Sequence, residues 1–104
     1  MTNPTGGNFI QIGGSGVIKG GLYEGTKCSY FLKALDGNNW LIDGAIVLHH
    51  CEGNKHVIRY NGPGTLTIKD STFECAEGHV LLDAPELVAF THSGSTFKGC
   101  EMPV

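Results

Sequence analysis

The feature that most constrains the fold of this chain is a motif that recurs about every 25 residues along it. Clear copies occupy residues 40–47, 66–73 and 88–97, and a fainter copy occupies residues 10–17. Each copy has two apolar residues one position apart, a small polar turn and another apolar residue, which predicts a strand, a turn and a second strand. Because one such unit cannot bury its apolar face and a stack of units can, the repeat predicts a solenoid.

The spacing of apolar residues predicts three strands in each repeat. Ile42 and Ile68 lie one period apart, and a further apolar column lies between the copies, where Phe31 and Val57 have the same separation. Parallel stacking places equivalent residues on top of one another, so the inward positions form ladders. The expected ladders are Ile12, Ile42, Ile68 and Phe90; Val17, Val47, Phe73 and Phe97; and Phe31, Val57 and Val80.

The composition supports an all-β chain that forms one domain over residues 1–104. The 16 glycines indicate many tight turns, and short runs of Val, Ile, Thr, Phe and Tyr end at Gly, Asn, Asp or Pro. Helical patterns are nearly absent, since only residues 28–35 have any helical character. About four rungs fit in this length at the observed period. A β-sandwich or a small closed barrel is the alternative fold, because antiparallel hairpins use the same turns.

The repeat resembles the right-handed parallel β-helix superfamily, the pectin-lyase-like solenoids. The resemblance lies in residues 40–51, 66–75 and 88–100. It implies a small single-stranded right-handed parallel β-helix. Enzymes of this shape are far longer and cleave polysaccharides with clustered acidic residues, around calcium or on adjacent rungs. Here Asp43 aligns with Lys69 rather than with another acid, so no carboxylate column forms and we assign no catalytic residue.

Charge and hydropathy exclude several kinds of partner. Seven basic and ten acidic residues give a formal net charge of -3, and Arg59 is the single arginine. Without a basic patch, neither nucleic acid nor an anionic membrane surface is an expected partner. The first residues have no secretory signal, and no apolar run has the length of a membrane span. The expected location is therefore the cytoplasm.

The first candidate site is a metal site built from histidines. The consecutive residues His49, His50 and Cys51 are followed closely by His56, and His and Cys side chains bind zinc. Their spacing matches no short zinc motif, and on a strand His49 and His50 point to opposite faces. His56 and His79 occupy equivalent places in the repeat, which predicts a stack about 5 Å apart. Surface histidines without a ligand are the competing interpretation, and no cofactor is predicted.

The cysteines recur at nearly the repeat length. Cys28, Cys51, Cys75 and Cys100 are almost evenly spaced along the chain. Their offsets from the apolar ladder predict that Cys51, Cys75 and Cys100 line one corner, with Cys28 elsewhere. Two disulfides could form in three pairings, but without a secretory signal we expect free buried thiols.

The second candidate site is a binding patch of tyrosines and nearby polar residues. Its proposed members are Tyr30, Tyr60, His56, His79 and Arg59. Exposed aromatic rings with a polar end stack on saccharides and pack in protein interfaces.

These observations favour a small non-enzymatic binding or assembly module. The ends of a β-helix expose strand edges, and residues 1–7 and 101–104 are too few to cap them. We therefore expect a homo-oligomer, most simply a dimer, with a saccharide or another protein as a possible further partner. The alternatives are a polysaccharide-acting enzyme, implied by the resemblance alone, and a metal-binding protein. The compact solenoid is also similar to products of bacterial or phage mobile genes.

Overall fold

A computed structural model describes residues 10–25, 30–50 and 56–102 of the chain. Within these ranges the regular structure is entirely β, and none of it is a helix with the length and hydropathy needed to cross a membrane. The strands are β1 (Ile10–Lys19), β2 (Leu22–Gly25), β3 (Leu32–Asp43), β4 (Ile46–His49), β5 (His56–Tyr60), β6 (Thr65–Lys69), β7 (Thr72–Cys75), β8 (Val80–Asp83), β9 (Ala89–Ser93) and β10 (Thr96–Lys98).

The strands stack as the rungs of a three-faced parallel β-helix. One face runs in the order β2, β4, β7 and β10, and all of its pairings are parallel. The other two faces share the long strands β1 and β3: the start of β3 pairs with β5, and its end pairs with β6. Strands β8 and β9 extend these two faces. The predicted parallel β-helix of about four rungs is confirmed.

The antiparallel alternative is excluded for the described residues, because every strand pairing among them is parallel. Right-handed coiling stays a prediction, supported by the strong preference of parallel crossover connections for that hand.

The first rung differs from the predicted register. Val17 was expected in an inward ladder with Val47, but it pairs with Leu41 and is 63% exposed. The residue that pairs with Val47 is Tyr23. The reason is that β1 continues through residues 13–16, where its pairing with β3 is irregular, and the chain leaves the strand only later, at residues 20–21.

The other ladders shift in the same way. The strand pairings align Ile18, Ile42, Ile68 and His92 in one ladder and Gly16, Trp40, Leu66 and Phe90 in the next, so the predicted pairing of Phe90 with Ile68 is wrong. In the ladder predicted to contain Val57 and Val80, Val80 instead pairs with His56. The buried residue that lies next to Val57 on the following rung is therefore Leu81. A one-residue slip moves a side chain to the opposite face of its strand, so these differences decide which residues are inside.

A close approach explains one glycine in the core ladder. A Cβ atom on Gly16 would lie 2.6 Å from Cη2 of Trp40, so only glycine leaves room for the indole ring. Trp40 is buried, and its Nε1 donates a hydrogen bond to the carbonyl oxygen of Gly14 at 3.0 Å. The ring of the second rung therefore rests on the backbone of the first.

A repeated turn joins two faces at the same corner of every rung. The positive-φ residues Gly20, Gly44, Asp70 and Gly94 hold this turn, with φ values of 69°, 73°, 49° and 63°. Next to it, the hydroxyl of Ser71 accepts a hydrogen bond from the buried amide of Ala45 at 3.1 Å. The hydroxyl of Ser95 accepts from the amide of Ser71, also at 3.1 Å. Ala45, Ser71 and Ser95 form what we call the serine corner, which ties three successive rungs together.

Candidate functional site

The last rung exposes side chains that are buried in the rungs beneath it. Phe90 and Phe97 are half-buried and His92 is exposed, whereas their predecessors Leu66, Ile68 and Phe73 are fully buried. We call Phe90, His92, Phe97 and the outer edges of β9 and β10 the carboxyl-terminal end surface. It is a cross-section of the apolar core that no further described rung covers.

The side chains of this surface pack against one another. The ring of Phe97 stacks on Phe73 with centroids 5.6 Å apart, which continues the core ladder. The imidazole of His92 contacts Phe97 edge-on at 5.1 Å and lies 5.6 Å from Phe90. On the outer side, β9 and β10 end their sheets among the described strands, so the amide and carbonyl groups that do not bond to β6 and β7 lie on an open edge. Such an edge is a template for another strand.

A second apolar surface lies on the outside of a flat face. Leu22 and Ile46 are neighbours across the pairing of β2 with β4, and they are 44% and 46% exposed. The same outward row continues with Thr72 and Thr96. We call the pair of Leu22 and Ile46 the outer Leu–Ile patch.

A cleft of about 360 Å³ lies at another corner of the coil. Its lining residues are Leu35, Arg59, Tyr60, Asn61, Gly62, Pro85 and Glu86. The guanidinium group of Arg59 makes an ion pair with Asp83 and donates a hydrogen bond to Oδ1 of Asn61 at 2.8 Å. Two neighbouring rungs therefore hold the arginine in place beside the cleft.

The predicted tyrosine patch is not a continuous exposed surface. The ring of Tyr60 is fully buried in the core, and its hydroxyl donates to the carbonyl oxygen of Thr65 at 3.1 Å. Burial raises the pKa of the Tyr60 phenol. Tyr30 is half-buried. Of the predicted binding residues, Arg59 and Tyr60 thus meet at the cleft, but the Tyr60 ring offers no face on which a saccharide could stack.

The predicted metal-site residues separate in the structure. His49 is buried, and His50 is exposed with its Nε2 atom 3.4 Å from Oε2 of Glu74, so the two side chains diverge as strand geometry requires. Cys51 lies outside the described residues. His56 is half-buried and pairs with Val80, so the predicted stack of His56 with His79 is wrong.

A different histidine pair forms instead. His49 and His79 are both buried, and their Nδ1 atoms lie 3.2 Å apart in a hydrogen bond. No group of three His, Cys, Asp or Glu side chains arranged to hold a metal ion occurs in the described part of the chain. The sequence repeat could not reveal this pair, because His79 lies in the turn before β8 and contacts a strand that is more than one period earlier in the chain.

Two of the cysteines are paired. Cys75 and Cys100 form a disulfide with their Cα atoms 5.0 Å apart, so for these two residues the expectation of free thiols is wrong. They follow the paired strands β7 and β10, and adjacent rungs have the Cα spacing that a disulfide needs. The predicted places of Cys28 and Cys51 lie outside the described residues.

The row of residues that contains Asp43 is not a column of carboxylates. Asp43 pairs with Lys19 on one side and with Lys69 on the other, as the repeat predicted. Asp83 is engaged by Arg59, and Asp70 occupies a positive-φ turn position. Asp70 and Asp83 thus have local structural roles, and the strand neighbours of Asp43 are lysines rather than acids.

Comparisons with protein-family models, with curated proteins and with solved structures found no significant match to this chain. The resemblance to pectin-lyase-like solenoids therefore stays a prediction, and the functional interpretation depends on the chain's own geometry.

Proposed function

We propose that this protein is a non-enzymatic assembly module that self-associates end to end through the carboxyl-terminal end surface. The observation that supports this most is the exposure of Phe90, His92 and Phe97 at positions whose counterparts one rung below are completely buried. Removing such apolar area from water contributes roughly 25 cal/mol per Å². An occupant shaped like a solenoid rung would gain most, because it would cover the three side chains together.

A second copy of the chain is the occupant that fits this surface best. Within the molecule, rung three is covered by rung four, which repeats its strand spacing and its aromatic ladder. The surface is thus shaped for a rung of its own kind. Two copies related by a two-fold axis would each bury this same apolar surface. The edges of β9 or β10 would then pair antiparallel, unlike the parallel stacking within the chain, and the assembly would close as a dimer.

Single charged substitutions on exposed residues test where the copies meet. His92→Glu places a carboxylate on the end surface, so we expect it to convert a dimer to a monomer without unfolding the chain. Ile46→Glu is the matched control, because it places the same charge on the outer Leu–Ile patch. Molar mass by light scattering and the far-ultraviolet circular dichroism of each variant are the measurements. Loss of the dimer in Ile46→Glu but not in His92→Glu would move the interface to the flat face and overturn the proposal.

The cleft beside Arg59 supports a second candidate function, the binding of a saccharide. The guanidinium group of Arg59 and the side-chain amide of Asn61 are planar polar groups held beside the cleft. Leu35 and Pro85 add apolar surface next to them, and a sugar ring can use both kinds of contact. Binding on a glycan array that is lost in Asn61→Ala or Glu86→Ala, with the dimer intact, would support this function. Binding that survives both substitutions would exclude the cleft as its site. Cytoplasmic location and origin in a mobile genetic element stay predictions.

A further inference from the structure

Two histidines and two cysteines meet at the corner where β4 and β7 end. The pairing of β4 with β7 places His49 beside Cys75. The bridge between Val80 and Glu101 places the preceding residues, His79 and Cys100, side by side on the next turn. The amide of Glu101 donates to the carbonyl oxygen of His79 at 2.9 Å, which fixes this neighbourhood. We call His49, Cys75, His79 and Cys100 the His–Cys corner.

Two side-chain contacts join these four residues in pairs, and the backbone pairings bring the two pairs together. The disulfide joins Cys75 to Cys100, and the Nδ1 atoms of His49 and His79 are 3.2 Å apart. In a tetrahedral zinc site, metal–nitrogen bonds of about 2.0–2.1 Å place two ligand nitrogens about 3.3 Å apart. The histidine pair therefore already has the separation of two zinc ligands. A metal ion between them would take the place of the proton that the two nitrogens share.

The burial of this corner decides which further ligands a metal ion would need. His49, His79 and Cys75 are buried, and Cys100 is half-buried. A divalent cation in such surroundings must be neutralised, because burying an uncompensated charge is costly. Two cysteine thiolates supply two negative charges, and two neutral imidazoles complete the Cys₂His₂ set that structural zinc sites use.

We propose that reduction of the Cys75–Cys100 disulfide converts the His–Cys corner into a zinc site. With the disulfide closed, the described residues contain no set of three side chains arranged to hold a metal ion. A dithiol reductant transfers two electrons and two protons to the bond, which gives two thiols and a cyclic disulfide. Zinc then displaces both thiol protons and binds two sulfur and two nitrogen atoms. The proposal does not depend on self-association.

Cobalt(II) is the probe for this site, because it binds like zinc and its spectrum reports the ligands. The intact chain is reduced with a dithiol, freed of the reductant without oxygen, and titrated with cobalt(II). We expect one equivalent to bind, with the visible bands of tetrahedral cobalt and a thiolate-to-cobalt charge-transfer band, and zinc to bleach both. The oxidised chain should bind none. Equal binding by the oxidised chain, or no cobalt spectrum in the reduced chain, would overturn the proposal.

Paired variants separate these ligands from the other thiols and imidazoles. The Cys28→Ser/Cys51→Ser variant keeps the His–Cys corner and should titrate like the parent chain. The Cys75→Ser/Cys100→Ser variant should lose the charge-transfer band, and its matched reference is the reduced parent, which also lacks the disulfide. His79→Ala should lose the tetrahedral spectrum, whereas His92→Ala should keep it. If the Cys28→Ser/Cys51→Ser variant instead lost cobalt binding, the assignment of ligands would be refuted. Circular dichroism verifies that each variant is folded.

Discussion

The serine corner offers a sharp test of how the rungs are held together. Ser71 is buried, and its hydroxyl accepts from the amide of Ala45 and donates to the carbonyl oxygen of Lys69 at 2.9 Å. In Ser71→Ala the buried Ala45 amide loses this partner. An unsatisfied buried donor costs about 1–3 kcal/mol. We therefore expect the free energy of unfolding to fall by about 2 kcal/mol.

Ser95→Ala is the matched control for this substitution. Its hydroxyl makes the same two kinds of hydrogen bond, to the amide of Ser71 and the carbonyl oxygen of Ser93, but it lies in the half-exposed last rung. Water can replace those hydrogen bonds, so we expect a loss of about 0.5 kcal/mol.

Urea unfolding followed by the fluorescence of Trp40, the single tryptophan, measures both variants. With a slope of about 2 kcal/mol/M, Ser71→Ala should lower the midpoint by about 1 M and leave the slope unchanged. A shift no larger than that of Ser95→Ala would refute the role we give to the buried hydroxyl. The comparison holds only with the disulfide intact, so both proteins are unfolded in the oxidised state.

Three further predictions concern the core. Gly16→Ala should destabilise the fold by about 1–3 kcal/mol through overpacking against Trp40, and a Trp40→Leu background should relieve most of that loss in a double-mutant cycle measured by urea unfolding followed by circular dichroism. Phe73→Ala should cost about 3–5 kcal/mol, whereas the same change at half-buried Phe97 should cost less than half as much; equal costs would contradict the difference in burial. Burial raises the pKa of Tyr60 in the folded chain above its unfolded pKa of 10.0. The contribution of Tyr60 to the free energy of unfolding is therefore complete below pH 10.0 and is lost as the pH rises through the folded pKa. Tyr60→Phe should therefore weaken the alkaline loss of stability in thermal unfolding, and an unchanged pH profile would contradict this.

The parallel β-helix could be predicted from the sequence because its repeat is a direct consequence of stacking. Apolar residues at matching places in the copies, such as Ile42 and Ile68, must share a ladder if the rungs are parallel. The register of the first rung could not be predicted in the same way. A short Gly–Gly–Ser–Gly stretch is compatible with both a turn and an extended strand, and the preference of Trp40 for Gly16 appears only in three dimensions.

The candidate sites were predicted less completely than the fold, since they lie at corners. Corner loops differ in length between rungs, so counting residues from one repeat to the next misplaces side chains there. That is why His79 was matched with His56 and not with His49. The cysteine spacing did contain the signal for the Cys75–Cys100 pair, because residues one period apart lie at strand spacing in a solenoid. The expectation of free thiols is wrong for this pair, although its spacing predicts that the two residues are neighbours.

Molar mass in solution, measured by light scattering after size exclusion over a wide range of concentrations, tests self-association most directly. End-to-end pairing predicts a mass near twice 11.1 kDa for the parent chain and near 11.1 kDa for His92→Glu at the same concentrations. A parent chain that keeps the monomer mass at the highest concentration would contradict the proposed assembly function.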